Sequence, residues 1–320
     1  MENNKKRFAP LILLMTVVFA LVSAYMVYNL FQDNGNDDFL NIFKQDETYV
    51  KTLEEKLQVD IKSSEAIDVL NELGVEGIIV PKKYDAYYKP CFDFVILKDG
   101  IKITRALAKN FYTYDWQVGD IIVSVNEQKI SEMEYFKVFD LIYSNKLENR
   151  NFILANGKAI EYKYEVYQNR LEVIEDDNNL EIKVYDLDVT FAKYIHELST
   201  KKEYGKILID LSAATINDFN SFRQYLSLFA EGKSVLFNKP EGVKALDTLK
   251  MPNCEINIGE NQDQGVLFLA SCIKKLNANV SIKNVSQNSY LCQTVYEDSN
   301  YRIYLKNYQI EAKASSGVEV

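Results

Sequence analysis

The chain has 320 residues, of which 47% are hydrophobic and 12% aromatic, enough for two modest globular domains and unlike a disordered polymer. Its 12 glycines and 5 prolines are too few for a low-complexity or collagen-like chain. A formal net charge of −9 gives no electrostatic footprint for nucleic acid, so no nucleic-acid partner is expected.

Phe8 to Phe31 carries no charged residue. As a helix it would span about 36 Å, enough for a bilayer core. Lys5, Lys6 and Arg7 precede it, while Asp33, Asp37 and Asp38 follow. That asymmetry predicts a single-pass protein of the cell membrane, held through residues 8–31, N-terminus cytoplasmic and the rest extracytoplasmic. A cleaved signal peptide is the competing reading, since Val22-Ser23-Ala24 offers small residues for a cut. The apolar run continues through Met26, Val27 and Leu30, longer than such a peptide needs, which favours an uncleaved anchor over residues 1–32.

Residues 33–48 read as a polar, acidic linker. Helical spacing follows between Asp46 and Gly74, with Leu53, Leu57 and Ile61, then Ile67 and Leu70. Ser63-Ser64-Glu65-Ala66 resembles a fresh N-cap and Gly74 a stop, so two helices complete the 33–74 segment.

From residue 75 to 168 the pattern is that of strands. Phe92–Leu97 and Ile101–Ala106 flank Asp99-Gly100, a hairpin signal. Val118-Gly-Asp-Ile-Ile-Val-Ser-Val-Asn126 follows, then an amphipathic helix over Glu132–Ser144 with Phe136, Phe139, Leu141 and Ile142 apolar. A second hairpin turns at Asn156-Gly157. Trp116 is expected in the core. The Gly119-Asp120-Ile121-Ile122-Val123 element and its surroundings resemble a PDZ domain. Such domains capture a peptide end by adding it as a strand, and the nearest candidate for their short Gly-containing loop before the binding strand is Gly77-Ile78-Ile79-Val80, with Phe92-Asp93-Phe94 behind it. A PDZ-shaped spacer with a filled groove is the bland counterpart.

Residues 169–320 alternate strands and helices. Strands are expected at Glu181–Leu187, Lys206–Leu211, Ser234–Phe237, Glu255–Ile258 and Val280–Val285, with a final strand pair or one long strand over Tyr301–Ala312. Helices are expected at Thr190–Thr200, Asp218–Glu231 and Gly265–Asn277. The acidic run Glu175-Asp176-Asp177 reads as a solvated turn. The expected fold class is α/β: an N-terminal transmembrane helix, a PDZ-like β-rich domain, then an α/β core with a mostly parallel sheet.

That order of parts resembles the carboxyl-terminal processing, or tail-specific, serine proteases. Gly205-Lys-Ile-Leu-Ile-Asp210-Leu211 looks like the family's strand before its glycine-rich turn, and Gln293-Thr-Val-Tyr296 carries its glutamine. Aligned there, the nucleophilic serine position falls on Gln264 and the lysine base position on Ser289. Only Gln293 is retained. The glycine-rich turn, whose amides help hold the oxyanion, is replaced by Ser212-Ala213-Ala214-Thr215-Ile216. An amide is neither nucleophile nor base, and a serine cannot serve as an amine base.

No substitute site stands out. Ser271 and Cys272 fall within a helix, Cys254 and Cys292 lack a histidine nearby, and His196 sits alone on its helix beside Glu197. The cysteines, with Cys91 the fourth, show no metal-ligand spacing, and one histidine builds no metal site, so no metal or cofactor is expected. The resemblance therefore implies a membrane-anchored pseudoprotease that holds extracytoplasmic protein or peptide C-termini without cutting them. Alternatively it pairs with itself or with a related protease. An active processing protease with a non-standard site and a purely structural envelope protein are the competing readings.

Overall fold

The computed structural model describes residues 39–44, 62, 65–166, 168–230, 234–239, 242–245, 249, 251–276, 282, 285–297 and 299–314. The expected membrane anchor and the helix before residue 62 lie outside these residues. Among the described residues no helix is long and apolar enough to cross a membrane.

The stretch expected as linker contains a strand, β1 (Phe39–Lys44). Its Phe-Leu-Asn-Ile-Phe sequence is rich in the aromatic and β-branched types that suit a pleated strand, despite the acidic residues just before it. Helix α1 (Ala66–Leu73) buries Ala66, Leu70 and Leu73 and stops at Gly74, as its sequence predicts. Strand β2 (Gly77–Pro81) follows directly.

The β-rich unit contains β3 (Phe92–Leu97), β4 (Gly100–Ala106), α2 (Lys109–Thr113), β5 (Ile121–Val125), β6 (Gln128–Lys129), α3 (Tyr135–Ile142), β7 (Asn149–Leu154) and β8 (Ala159–Lys163). Its sheet is antiparallel, in the order β3-β4-β5-β7-β8 with β6 on β5. Leu97 pairs with Gly100, so the first hairpin turns on Lys98-Asp99, one residue earlier than expected. Trp116 lies in the core with its ring edge-on to Phe92 (5.1 Å) and Phe152 (5.6 Å).

The C-terminal unit contains β9 (Leu171–Glu175), β10 (Asn179–Val184), α4 (Val189–Thr200), β11 (Lys206–Asp210), α5 (Phe219–Phe229), β12 (Ser234–Lys239), β13 (Gly242–Ala245), β14 (Glu255–Asn257), α6 (Gln264–Leu276), β15 (Ser289–Glu297) and β16 (Tyr301–Ala314). Here the expectation of one mostly parallel sheet needs correction. Strands β10, β11 and β14 are parallel, with β9 antiparallel on the edge. A second sheet, β13-β12-β1-β16-β15, is antiparallel except where β1 meets β12. A short connection turns β15 back into β16, a hairpin arrangement that only antiparallel neighbours allow. Of the strand expected at Val280–Val285, only Ile282 and Val285 are described, and neither is in a strand.

Helix α6 has apolar residues on nearly every face because it packs against both α5 and β15. Phe268 stacks on Phe222 at 5.3 Å and leans on Tyr290 at 6.2 Å. Burying a side chain of that size contributes about 1.5–3 kcal/mol. The helix is therefore fixed from within, which sets its N-terminal end against the loop after β11.

Strand β16 joins the two units. Its start pairs antiparallel with β2, from Tyr301 opposite Pro81 to Leu305 opposite Gly77. Its end pairs with β1 and β15. Ile303 and Leu305 are fully buried in the apolar cluster of the β-rich unit, and Ile310 in that of the C-terminal unit.

Candidate functional site

Two hollows lie where the units meet. The larger, about 660 Å³, is a cleft walled by the start of α6, the start of β15 and the loop after β11. Gln264 is the first residue of α6 and is exposed there. Ser289, the first residue of β15, lines the same cleft. The positions that align with a nucleophile and a base are thus brought together, carrying an amide and a hydroxyl.

Gln293 is turned elsewhere. Its backbone N–H donates to Asn217 O (2.6 Å), and its side-chain Oε1 accepts from Asn217 Nδ2 (2.7 Å). It lines the smaller cavity, about 210 Å³, together with Asp93, Arg105, Arg170 and Asp186.

Sequence reading missed Asp263, although an aspartate just before a helical run is a recognisable N-cap signal. Its carboxylate accepts the Val266 N–H at 2.9 Å and the Ile216 N–H at 3.3 Å, and also bonds the backbone of Gly265. Burial raises its pKa, while those three N–H groups work in the opposite direction. Ile216 belongs to the segment that stands where an oxyanion-holding turn is implied. Its one N–H is given to an internal anion, and its C=O accepts from Tyr290 Oη at 2.7 Å.

Close packing holds this arrangement. A Cβ on Gly265 would lie 2.7 Å from Ile216 O and 2.8 Å from Tyr290 Cζ. Only glycine lets the first turn of α6 approach the loop so nearly. Asn261 Nδ2 pins the same loop by donating to Leu211 O (2.7 Å) and Ala214 O (2.8 Å).

Ser271 and Cys272 are buried within α6. The Cys272 and Cys292 thiols have their pKa values pushed up by burial, so both stay protonated and unreactive. Cys292 Sγ donates to Tyr308 O at 3.1 Å. None of the four cysteines is in a disulfide. His196 is half-buried on α4, and it does not line the cleft.

Gly77–Val80, the candidate for a peptide-binding loop, lies instead in the strand β2. One edge of that strand is paired with β16. The Ile79 N–H, which is fully buried, donates to Tyr135 Oη of α3 at 2.9 Å. Phe136 of α3 stacks on Tyr301 of β16 at 5.3 Å, closing the same region. The chain's own elements thus pair one edge of β2 and hold Ile79 on the other, while Gly77, Ile78 and Val80 line the smaller cavity.

A buried ion network crosses the seam. Arg105 of β4 contacts Asp93 (2.5 Å) and Asp186 (2.9 Å), and Arg170 contacts Asp186 at 3.3 Å. Burial opposes the charge on Arg105, but Asp93 and Asp186 more than offset that and hold its pKa raised. Asp186 is 2% exposed, and burial pushes its pKa up to about 6 against the two guanidiniums.

A β-rich unit strapped by one long strand to an α/β unit, with a cleft at a helix start, is similar in fold to a solved processing protease. The photosystem II D1 C-terminal processing protease is similar in structure, with a TM-score of 0.52 and 11% identity, over 85% of this chain and 83% of that one. A putative S41 protease from Bacteroides fragilis (TM-score 0.36, 10% identity, 85% of this chain and 80% of that one) is more distant. So is the tricorn protease (TM-score 0.23, 12% identity, 72% and 24%). The first likeness establishes a shared fold. No protein-family model and no curated protein matches the sequence.

Proposed function

We propose that this chain is a pseudoprotease: a polypeptide-holding protein on a processing-protease scaffold that does not cut what it binds. The observation that carries this reading is the pairing of an exposed Gln264 with Ser289 in an open cleft, where a nucleophile and base would be required. Asp263 adds to it. An N–H group already donating to an internal carboxylate is not free to stabilise charge developing on a substrate oxygen. The remaining hydroxyls and thiols of α6 are buried away from any substrate.

Within the same reading, residues 75–168 are a PDZ-like unit and residues 8–31 anchor the chain in the cell membrane, with the described units extracytoplasmic. Self-association, or pairing with a related active protease, belongs to it as well.

The test uses the full-length chain and a fluorescently labelled unfolded casein. A rise in anisotropy with no new fragments by mass spectrometry supports holding without cleavage. Sustained fragment release, lost in Ser271→Ala or Cys272→Ala, would overturn it. Labelling of single introduced cysteines on either side of the membrane checks the orientation separately.

A further inference from the structure

The four-stranded sheet β14-β11-β10-β9 ends in an edge with no neighbouring strand among the described residues. Strand β9 pairs antiparallel with β10 alone. Bonds to the β10 side continue at both ends, from the Tyr185 N–H to Arg170 O (2.9 Å) and from the Asp176 N–H to Asn179 O (3.0 Å). Antiparallel bonding alternates along a strand, so the even-numbered residues face β10. The N–H and C=O groups of Leu171, Val173 and Glu175 therefore point outward. A row of this kind is a template for another strand.

The devices that blunt a sheet edge are missing from this one. β9 has no proline and no lysine, and its register against β10 is unbroken. Its two glutamates are matched within the chain, Glu172 by Lys109 and Glu175 by Lys201 (3.2 Å) and Lys202 (3.3 Å). The apolar side chains between them stay outside, Val173 at 36% exposure and Ile174 at 64%. Just beyond the strand, Asp176 is exposed, and its carboxylate accepts from Asn178 and Asn179. Just before it, half-buried Arg170 commits only Nη1, to Asp186 and Asp188.

Pairing of this edge with itself selects one register. Two β9 strands related by a two-fold axis normal to the sheet can bond only where outward residues oppose each other. Centring the pair on Val173 sets Val173 against Val173, Leu171 against Glu175 and Arg170 against Asp176 of the second copy. A slide of the register one way puts Glu172 opposite Glu172, and the other way puts Glu172 opposite Asp176. Like charges directly opposite are unfavourable, whereas the central register has unlike charges at both ends and an apolar pair in the middle. The match of the edge to itself selects a second copy of this chain over an unrelated strand.

We propose that β9 is a dimerisation edge, through which two copies of this chain join their four-stranded sheets into one continuous sheet. The inference rests on the self-association included above and gives it a surface; it is independent of the loss of cleavage.

The experiment uses the full-length chain in detergent, followed by sedimentation velocity across the micromolar range. The native chain should sediment as a monomer–dimer equilibrium. Val173→Lys sets two ammonium groups against each other at the centre and should weaken dimerisation at least about tenfold. Asp176→Lys places a cation opposite Arg170 at both ends and should weaken it about fivefold. Val173→Cys should give a disulfide-linked dimer on mild oxidation, since opposed residues of a hydrogen-bonded pair have Cα atoms about 5.5 Å apart, within the span of a disulfide. Leu147→Cys, exposed on the β-rich unit, should link no faster than the native chain.

A native chain that stays monomeric, with Val173→Cys open to maleimide, overturns the inference and leaves the polypeptide-holding function standing. A monomer in which Val173→Cys resists maleimide overturns it too, another part of the chain then covering the edge. A dimer unmoved by Val173→Lys, or one not linked through Val173→Cys, leaves self-association standing on a different surface and overturns this one.

Discussion

The β-rich unit and the C-terminal unit have diverged from their sequence signatures in opposite ways. In the first, the Gly119-Asp120-Ile121-Ile122-Val123 element is present, yet β2 is closed by β16 and Tyr135. In the second, Gln264 and Ser289 stand where the resembled family's dyad aligns, and a cleft of about 660 Å³ stays open there. The difference is physical. A signature such as Gly-Asp-Ile-Ile-Val specifies a turn and a buried strand, which is packing information. Whether a strand edge is free depends on partners far away in sequence, here Tyr301 to Leu305. Catalytic side chains, conversely, contribute little to packing and can change without closing the cleft they line.

The largest effect expected in testing this contrast comes from Arg105→Ala. It leaves Asp186 buried beside one remaining guanidinium, and breaking a buried pair of this kind costs about 3–5 kcal/mol. Trp116, the only tryptophan, reports the β-rich unit. In urea unfolding the native chain should give coincident transitions by tryptophan fluorescence and far-UV circular dichroism. The variant should separate them. Coincident curves at unchanged midpoint would mean that the seam is held without this network.

Asp186 should make that seam pH-dependent. Its pKa of about 6 in the folded chain stands above the 3.8 of an unperturbed aspartate, so the folded state binds the proton first as pH falls. The group therefore detracts from stability above pH 6 and ceases to do so as the pH drops toward 4. The difference is about 3 kcal/mol across that window. Native stability, relative to Asp186→Asn, should rise between pH 7 and pH 5. A relative fall would mean that Arg105 and Arg170 dominate over burial.

Two glycines sharpen the comparison further. A Cβ on Gly77 would lie 2.7 Å from Tyr304 O across the β2–β16 pair, and one on Gly265 equally close to Ile216 O at the cleft. Each Gly→Ala change should cost about 1–3 kcal/mol by chemical denaturation. A near-neutral Gly77→Ala would show β2 to be loosely held, and the closed edge would then be a groove able to open. The contrast between the units would fail at that point.

Much of the local structure was legible. Helical periodicity located α4, α5 and α6 to within a few residues, and alternation with a two-residue turn located the β3–β4 hairpin. Gln264 and Ser289 were singled out by alignment alone, and the fold brings both to one cleft. What escaped was non-local. The strand at Phe39–Lys44 is short and flanked by acidic residues, and its partners lie far away in sequence, from Ser234 in β12 to Ala314 in β16. The closure of β2 depends on a strand near the other end of the chain, and no periodicity within Gly77–Val80 could announce it. Asp263 was visible as a cap, but its bond to Ile216 required the loop and the helix to meet. The placement of Gln293 away from the cleft was equally hidden, because it turns on the partner Asn217.

The smallest effect expected is from installing a serine and a lysine in the cleft. Gln264→Ser with Ser289→Lys places the resembled family's dyad residues at two positions that line one cleft. Turnover of unfolded casein should nonetheless stay at background. The serine would stand at the start of a helix whose nearest backbone donors are held by Asp263, leaving a developing oxyanion beside a carboxylate. Loss of one oxyanion donor alone costs about a hundredfold or more in rate. Adding Asp263→Ala to the pair frees the Ile216 N–H and should give the first measurable cleavage, at the expense of about 1 kcal/mol of helix capping. Cleavage by the double variant without that third change would mean that Asp263 yields its donor to substrate, and the C-terminal unit would then lack only two side chains rather than the whole machinery.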